Sequence, residues 1–311
     1  MAQQKMKFVC CKCGAETDAA ITTERYKKLL CRECFGKRKD TRTNQLNDLT
    51  GTEWAKHSKS IETYPDTRTP NQKEHGACFP RSLARHQIEI YTKAGDVVLD
   101  PFMGVGTTML AAHELGRTSL GIELNPRFAQ MCRDELSENG ICAEIFEDDA
   151  DNMLSHIPEG SVDFILTSPP YANLLKTIKG DFAYKWREHS AIDPIKNPAP
   201  YSSNDHDIGN MEYNEGIQAI ASIMEKCFVV QKPNTYAVWI VKDFRDLKRK
   251  VPYINFHGDV IRCAEDAGYT LWDIRIYDQT NFRPLVCLGY PSRNYYLNIG
   301  HSYMLVFKKM R

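Results

Sequence analysis

The sequence predicts an α/β fold: a doubly wound, Rossmann-like sheet preceded by a small cysteine-rich module. Three observations predict it. From about residue 95 onward, short apolar runs alternate with helical patterns, which implies a mostly parallel sheet with helices on both faces. The first of these runs, Asp96–Asp100, leads through a glycine loop straight into a helix. Ahead of all this, two Cys-x2-Cys hooks stand within the first 40 residues.

The elements follow in order. Residues 41–75 are polar, carry Pro65 and Pro70, and read as a connector with little core of its own. Asp96–Asp100 is the first strand, Thr107–Leu115 a helix closed by Gly116, Thr118–Glu123 the second strand and Pro126–Asn139 the second helix. Ala143–Phe146 and Val162–Leu166 are further strands. Asn214–Val230 and Phe256–Ala267 read as helices, and Tyr236–Val241, Leu271–Tyr277 and Tyr303–Phe307 as strands.

Composition sets limits. Of 311 residues, 42% are hydrophobic and 26% charged, and no run approaches the ~18 apolar residues of a membrane span. No apolar leader follows Met1, and 11 cysteines without one suggest a reducing, cytoplasmic compartment and no disulfide framework. The zero net charge hides an asymmetry. Residues 1–94 carry 18 Lys+Arg against 11 Asp+Glu, and residues 95–311 carry 22 against 29. A basic front end on an acidic body suits a polyanionic partner.

Cys10-x2-Cys13 and Cys31-x2-Cys34 have the spacing of a zinc ribbon. Four thiolates can close a tetrahedral shell around a structural Zn2+, which supplies the staple that so short a module needs. Cys11 is a bystander thiol. The surrounding Lys12, Arg25, Lys27, Lys28, Arg32 and the run 37–39 point to DNA as the ribbon's partner. Domain boundaries follow: 1–45 for the ribbon and basic connector, 46–311 for the body.

In Asp100-Pro-Phe-Met-Gly-Val-Gly-Thr-Thr108, Gly104 and Gly106 let the backbone approach a ligand. Neither a third fingerprint glycine nor a P-loop lysine follows. Glu123 ends the second strand, where a ribose diol could be held. Acids at both strand ends suit a cofactor with a ribose and a cationic centre. This loop resembles the DPFxGxGTT motif of S-adenosylmethionine-dependent DNA amino-methyltransferases. His75-Gly-Ala-Cys-Phe-Pro80 is similar to that family's HxAxFP element, and Asp148-Asp-Ala150 stands where the family has Gly-Asp-Ala. The resemblance implies a methyltransferase sheet over 46–311. It also implies a cofactor site from Phe79, Pro80, Asp100, Pro101, Phe102, Gly104, Gly106, Thr107, Thr108, Glu123 and Asp149, with Asp149 on the adenine amine.

Thr167-Ser-Pro-Pro-Tyr171 follows an apolar strand. Two prolines fix φ and remove two donors, so a rigid turn offers acceptors to an exocyclic amine. The run resembles motif IV of the same family. By that likeness Ser168, Pro169, Pro170 and Tyr171 are catalytic, Tyr171 stacking on a base flipped from the duplex. The Ser form is associated more with cytosine N4 than adenine N6. None of the 15 prolines precedes a cysteine, which disfavours cytosine C5 chemistry. Target reading falls to the insert 172–213, with Lys176, Lys179, Lys185, Trp186, Arg187, His189, Tyr201 and His206, or that insert simply closes over the site. Arg245, Lys248, Arg249 and Lys250 form a second basic cluster. The expectation is a DNA amino-methyltransferase of restriction-modification type, acting on double-stranded DNA. Adenine N6, an RNA base amine, or a non-catalytic zinc-ribbon binding protein are the alternatives.

Overall fold

A run such as Ala237–Val241 is apolar at every position, so a strand built from it is stable only where both faces are covered. The computed structural model, which describes residues 4–36, 44–65, 67–171, 204–246, 249–283 and 285–311, puts it there. The chain divides into two compact units, Met1–Gln45 and Leu46–Arg311.

In the first unit, β1 (Lys5–Val9) and β2 (Glu16–Ala20) pair antiparallel, and α1 (Glu24–Lys27) and α2 (Arg32–Gly36) follow. Cys10 and Cys13 lie in the β1–β2 turn; Cys31 precedes α2 and Cys34 lies within it. Gly14 takes φ +73° just after the first hook, a conformation that favours a residue without Cβ.

The second unit opens with α3 (Gly51–His57), β3 (Ile61–Glu62), α4 (Pro70–His75) and α5 (Arg81–Tyr91). Then come β4 (Val97–Asp100), α6 (Thr107–Glu114), β5 (Thr118–Glu123), α7 (Pro126–Glu138), β6 (Glu144–Glu147) and β7 (Val162–Thr167). Beyond residue 203 lie α8 (Tyr213–Val230), β8 (Gln231–Val241), β9 (Phe244–Asp246), β10 (Val251–Ile254), α9 (Phe256–Asp266), β11 (Thr270–Asp278) and β12 (His301–Lys308). The main sheet has the order β3-β11-β12-β8-β7-β4-β5-β6. Only β12 runs antiparallel to its neighbours.

Alternate side chains serve opposite faces. Val98, Phe164, Leu166, Val238, Ile240 and Met304 pack with Leu83, Ala84 and Ile88 of α5 and Ala111 and Ala112 of α6. Leu99, Ile165, Ala237, Trp239 and Leu305 pack with Ile220 and Met224 of α8 and Phe256 and Val260 of α9. Fully burying each such large side chain is worth about 1.5–3 kcal/mol, whereas exposed ion pairs are worth about 0–1 kcal/mol. The sheet therefore rests on these two layers.

The described residues of 46–75 correct the sequence reading. They are no bare connector: Thr50 with Glu53 and Thr69 with Gln72 form capping boxes that start α3 and α4. A buried polar network then fastens them. The Tyr64 hydroxyl donates to Glu62 (2.8 Å) and lies 2.6 Å from His86 Nδ1. Arg275 of β11 donates to Glu62 (2.8 Å) and to Gln87 (3.1 Å). Hydrophobic periodicity carries no trace of an anchor made of hydrogen bonds, and so the segment reads as linker. β8 likewise starts before its apolar run because Gln231 pairs with Val162. Among the described residues no helix is long and apolar enough to cross a membrane.

Candidate active site and cysteine cluster

β4 has β5 on one side and β7 on the other. That reversal of strand order opens a crevice at the carboxyl ends of β4 and β7. The glycine loop leaves β4 there, and the Ser168 turn leaves β7 beside it. Asp100 joins them. Its Oδ1 accepts from the Phe102 amide (3.1 Å) and from Thr167 Oγ1 (2.6 Å), and its Oδ2 from Thr108 Oγ1 (2.6 Å). Burial pushes this carboxyl up to about 6, against the pull of those three hydrogen bonds. Asp100 is thus a buried node that shapes the crevice.

The loop itself is sterically exacting. Gly104 has φ +54° and Gly106 φ +83°. A Cβ on Gly104 would stand 2.9 Å from His75 Nε2, and one on Gly106 would stand 2.3 Å from Cys132 Sγ. Below 3.0 Å something must move. The Gly104 amide donates to Glu123 Oε2 (2.9 Å), while Glu123 Oε1 accepts from the Asn125 amide (2.8 Å). Burial, with smaller contributions from the negative Asp100 and Asp207, pushes Glu123 up to about 7.

Upstream residues complete the loop's outer side. Gln72 Nε2 donates to Thr107 Oγ1 (2.7 Å) at the first turn of α6. His75 lies against Gly104 and Phe128 (ring centroids 4.5 Å apart), and burial lowers its pKa to about 4, so it is neutral at pH 7. Phe79 packs instead into the layer under α5, and Pro80 is the residue that starts that helix. Pro101 follows Asp100 in the turn, and Phe102 sets its ring edge-on to Trp239 (6.2 Å). Gln72, His75, Cys132 and Thr167 were absent from the sequence-derived site. Thr167, directly before Ser168 at a strand end, and His75, which opens the His75–Pro80 element, carried a local signal; Gln72 and Cys132 carried none.

At the β7 turn, Ser168 Oγ donates to the Ile240 carbonyl of β8 (2.9 Å). Pro169 is buried and Pro170 partly so. Tyr171 lies in a ring cluster, parallel to Phe244 (6.1 Å, 8°) and edge-on to Phe256 (5.0 Å); burial pushes its hydroxyl up to about 12. Asp149, beyond β6, caps the 3-10 turn Ala150–Ser155 through the Asp151 amide (2.9 Å) and pairs with His206 (3.0 Å). Asp148 is held by His156 (2.6 Å). Of the expected target-reading insert, residues 172–203 lie outside the described residues, as does Lys248 of the second basic cluster. Arg249 of that cluster is paired with Glu212 (3.1 Å).

In the N-terminal unit, the Sγ atoms of Cys10, Cys13, Cys31 and Cys34 all lie within 4.8 Å of one another, with Cys13 and Cys31 3.6 Å apart. Four thiolates at ~2.3 Å from a tetrahedral zinc stand about 3.8 Å apart. The four cysteines fit such an ion. The basic run at 37–39 lies outside the described residues.

Comparison with known proteins bears on this site. Residues 13–134 match the N6/N4 methyltransferase family, described as DNA methylase. The type II methyltransferase M.MthZI of Methanothermobacter thermautotrophicus is 43% identical over 68 residues, 22% of this chain and 19% of that protein. M.BglI of Bacillus subtilis is 41% identical over 86 residues, 27% of this chain and 24% of its own length. The matches thus span about a fifth to a quarter of those relatives. Among solved structures, TrmN from Thermus thermophilus aligns over 79% of this chain and 55% of its own, at 15% identity and TM-score 0.46. The chain resembles the DNA amino-methyltransferases, and the family match includes the glycine loop and stops short of the Ser168 turn.

Gly106 provides a steric test of the loop. Placing a side chain at φ +83° costs about 1–2 kcal/mol before the collision with Cys132 is counted. Gly106→Ala is expected to lower stability in urea denaturation by more than that. Adding Cys132→Ala should recover the collision alone; a Gly106→Ala variant as stable as the parent would contradict the loop geometry.

Proposed function

We propose that the chain is an S-adenosylmethionine-dependent DNA methyltransferase that modifies an exocyclic base amine, cytosine N4 in preference to adenine N6. The preference for cytosine rests on the Ser form of the turn; the observation that carries the exocyclic-amine reading is the hydrogen bond from Ser168 Oγ to the Ile240 carbonyl (2.9 Å). With its only proton committed there, the hydroxyl can face a ligand only as an acceptor. An amine N–H is what such an acceptor takes. Accepting it turns the nitrogen lone pair out of the base ring and toward an incoming methyl group. The Asp100–Thr167 hydrogen bond (2.6 Å) supports the reading further, because it holds the acceptor turn and the glycine loop in one rigid frame.

The acids at the strand ends fit a cationic cofactor. Asp100 and Asp207 raise the proton affinity of Glu123, a mutual repulsion that a bound positive charge relieves. When bound, S-adenosylmethionine supplies an electrophilic methyl group on a sulfonium. Glu123 and Asp149 would hold it beside the glycine loop, with Gly104 and Gly106 admitting its close approach. Ser168 Oγ would hold the amine nitrogen in line with that methyl group, and the amine proton released on transfer would pass to water. Tyr171, fixed among Phe244 and Phe256, supplies an aromatic wall for a base flipped out of a duplex. The four-cysteine unit, with Zn2+ held by Cys10, Cys13, Cys31 and Cys34, adds a nucleic-acid contact.

Incubation with methyl-labelled cofactor and DNA or RNA in parallel, followed by nucleoside mass spectrometry, tests the reading. Label in N4-methylcytosine from DNA is the expected outcome. N6-methyladenine would keep the mechanism and change the base, and label in RNA alone would overturn the substrate. Ser168→Ala should lose about a hundredfold or more in turnover with cofactor affinity unchanged; full turnover in that variant would refute its role.

Cofactor affinity should depend on pH in a defined direction. Asp100 holds its proton below about 6 and Glu123 below about 7, so a cationic ligand must displace protons at low pH. Titration calorimetry is expected to show at least a tenfold gain in affinity from pH 5.5 to 8, with proton release on binding. Glu123→Gln should flatten the profile; an unchanged profile would exclude that carboxylate.

Metal analysis is expected to find about one zinc per chain. Cys31→Ser or strong chelation should remove it and weaken DNA binding more than cofactor binding. The reverse order would overturn the role given to the N-terminal unit.

A further inference from the structure

The chain between β11 and β12 forms an arm that the expected site did not include. Its base is closed by the Gln279 amide donating to the Gly300 carbonyl (2.8 Å). Asn298 then makes a reciprocal pair with Val286, amide to Oδ1 and Nδ2 to carbonyl, each at 3.0 Å. Arg245 of β9 donates to the Leu297 carbonyl (2.8 Å) and lies 5.5 Å from the Tyr296 ring. At the tip, Gly289 takes φ +87°, and a Cβ there would stand 2.0 Å from the Asn294 carbonyl oxygen. The arm therefore has a definite shape. Yet Leu285 is 82%, Tyr290 82%, Tyr295 86% and Leu297 69% exposed. Large apolar side chains held out in water on an ordered frame mark an interaction surface.

Charge and position identify the occupant. Residues 95–311 carry 29 acids, which would place about three in a stretch this long. From Gln279 to Gly300 the sequence has none, with Arg283 and Arg293 present. The arm is an acid-free projection on an acidic body. It also rises from the catalytic edge of the sheet. Tyr303, just past the arm, pairs with Val241, the neighbour of the Ile240 carbonyl that holds Ser168. Exposed tyrosines, amides and an arginine are the groups that meet sugar, base edges and phosphate.

We propose that the 285–300 arm is the duplex-DNA docking surface of this chain, seated beside the target base, with Arg293 on the phosphate backbone and Tyr290 and Tyr295 against the groove. The proposal rests on the DNA reading above. Its test uses the full chain, a labelled mixed-sequence duplex and the variant Tyr290→Ser/Arg293→Gln/Tyr295→Ser, whose altered side chains are all exposed. Fluorescence anisotropy is expected to show at least tenfold weaker duplex binding and a salt slope shallower by about one. Thermal unfolding and calorimetric cofactor affinity should match the parent, which establishes that the variant is folded. Duplex binding equal to the parent's would overturn the arm's role while leaving the catalytic reading intact. A parent that binds no duplex would overturn both. Unchanged duplex binding with a shift from dimer to monomer would make the arm an interface between two copies, and the proposal would fall.

Discussion

The carboxylate of Asp100 is the constraint on which the rest of the site depends. It takes three hydrogen bonds: from the glycine loop, from the first turn of α6, and from the last residue of β7. A charged group in so dry a place is costly unless its lone pairs are filled. The same requirement works in reverse on the backbone. To satisfy Asp100, the loop after β4 and the strand end at Thr167 must sit together, so the crevice has little freedom to deform. A glycine loop and a Ser-Pro-Pro turn far apart in sequence thereby become one frame.

Steric limits then act on that frame from outside. Glycines at 104 and 106 are demanded twice over, by positive φ and by the approach of His75 and Cys132. Those neighbours are in turn positioned by packing remote from the loop. His75 ends α4, which Gln72 pins to Thr107. Cys132 sits in α7 among Met109 and Leu136. The order of the N-terminal part of this unit, secured by the Glu62–Arg275–Gln87 network, thus bears directly on the shape of the crevice. Removing one partner from such a buried pair typically costs about 3–5 kcal/mol, comparable to losing a large core side chain.

Electrostatics divides the molecule by task. The acids at the strand ends accumulate where they repel one another, a costly arrangement that makes sense where a cation is to be received. The cysteine unit faces a separate problem: a module of this size buries too little apolar surface to hold itself together, and its four clustered thiols are placed to hold a metal ion that would replace the missing core.

Local chemistry was legible in the chain alone. The alternation of apolar runs with helices predicted the parallel sheet. The two Cys-x2-Cys hooks predicted a four-thiol cluster. The glycine loop and the Ser-Pro-Pro-Tyr turn were both placed at strand ends. Each of these depends on residues within a few positions of one another, where spacing dictates geometry. What the tertiary structure decided were relations across distance. Asp100 became a buried node with its hydrogen bonds already made, Phe79 went to the layer under α5 and Pro80 to the start of that helix. His75 went to the loop, and the described residues of 46–75 became a docked segment. The Ser168 proton was committed to a carbonyl on the neighbouring strand. Hydrogen bonds between residues so far apart follow from strand order and burial, and neither is written in any local pattern.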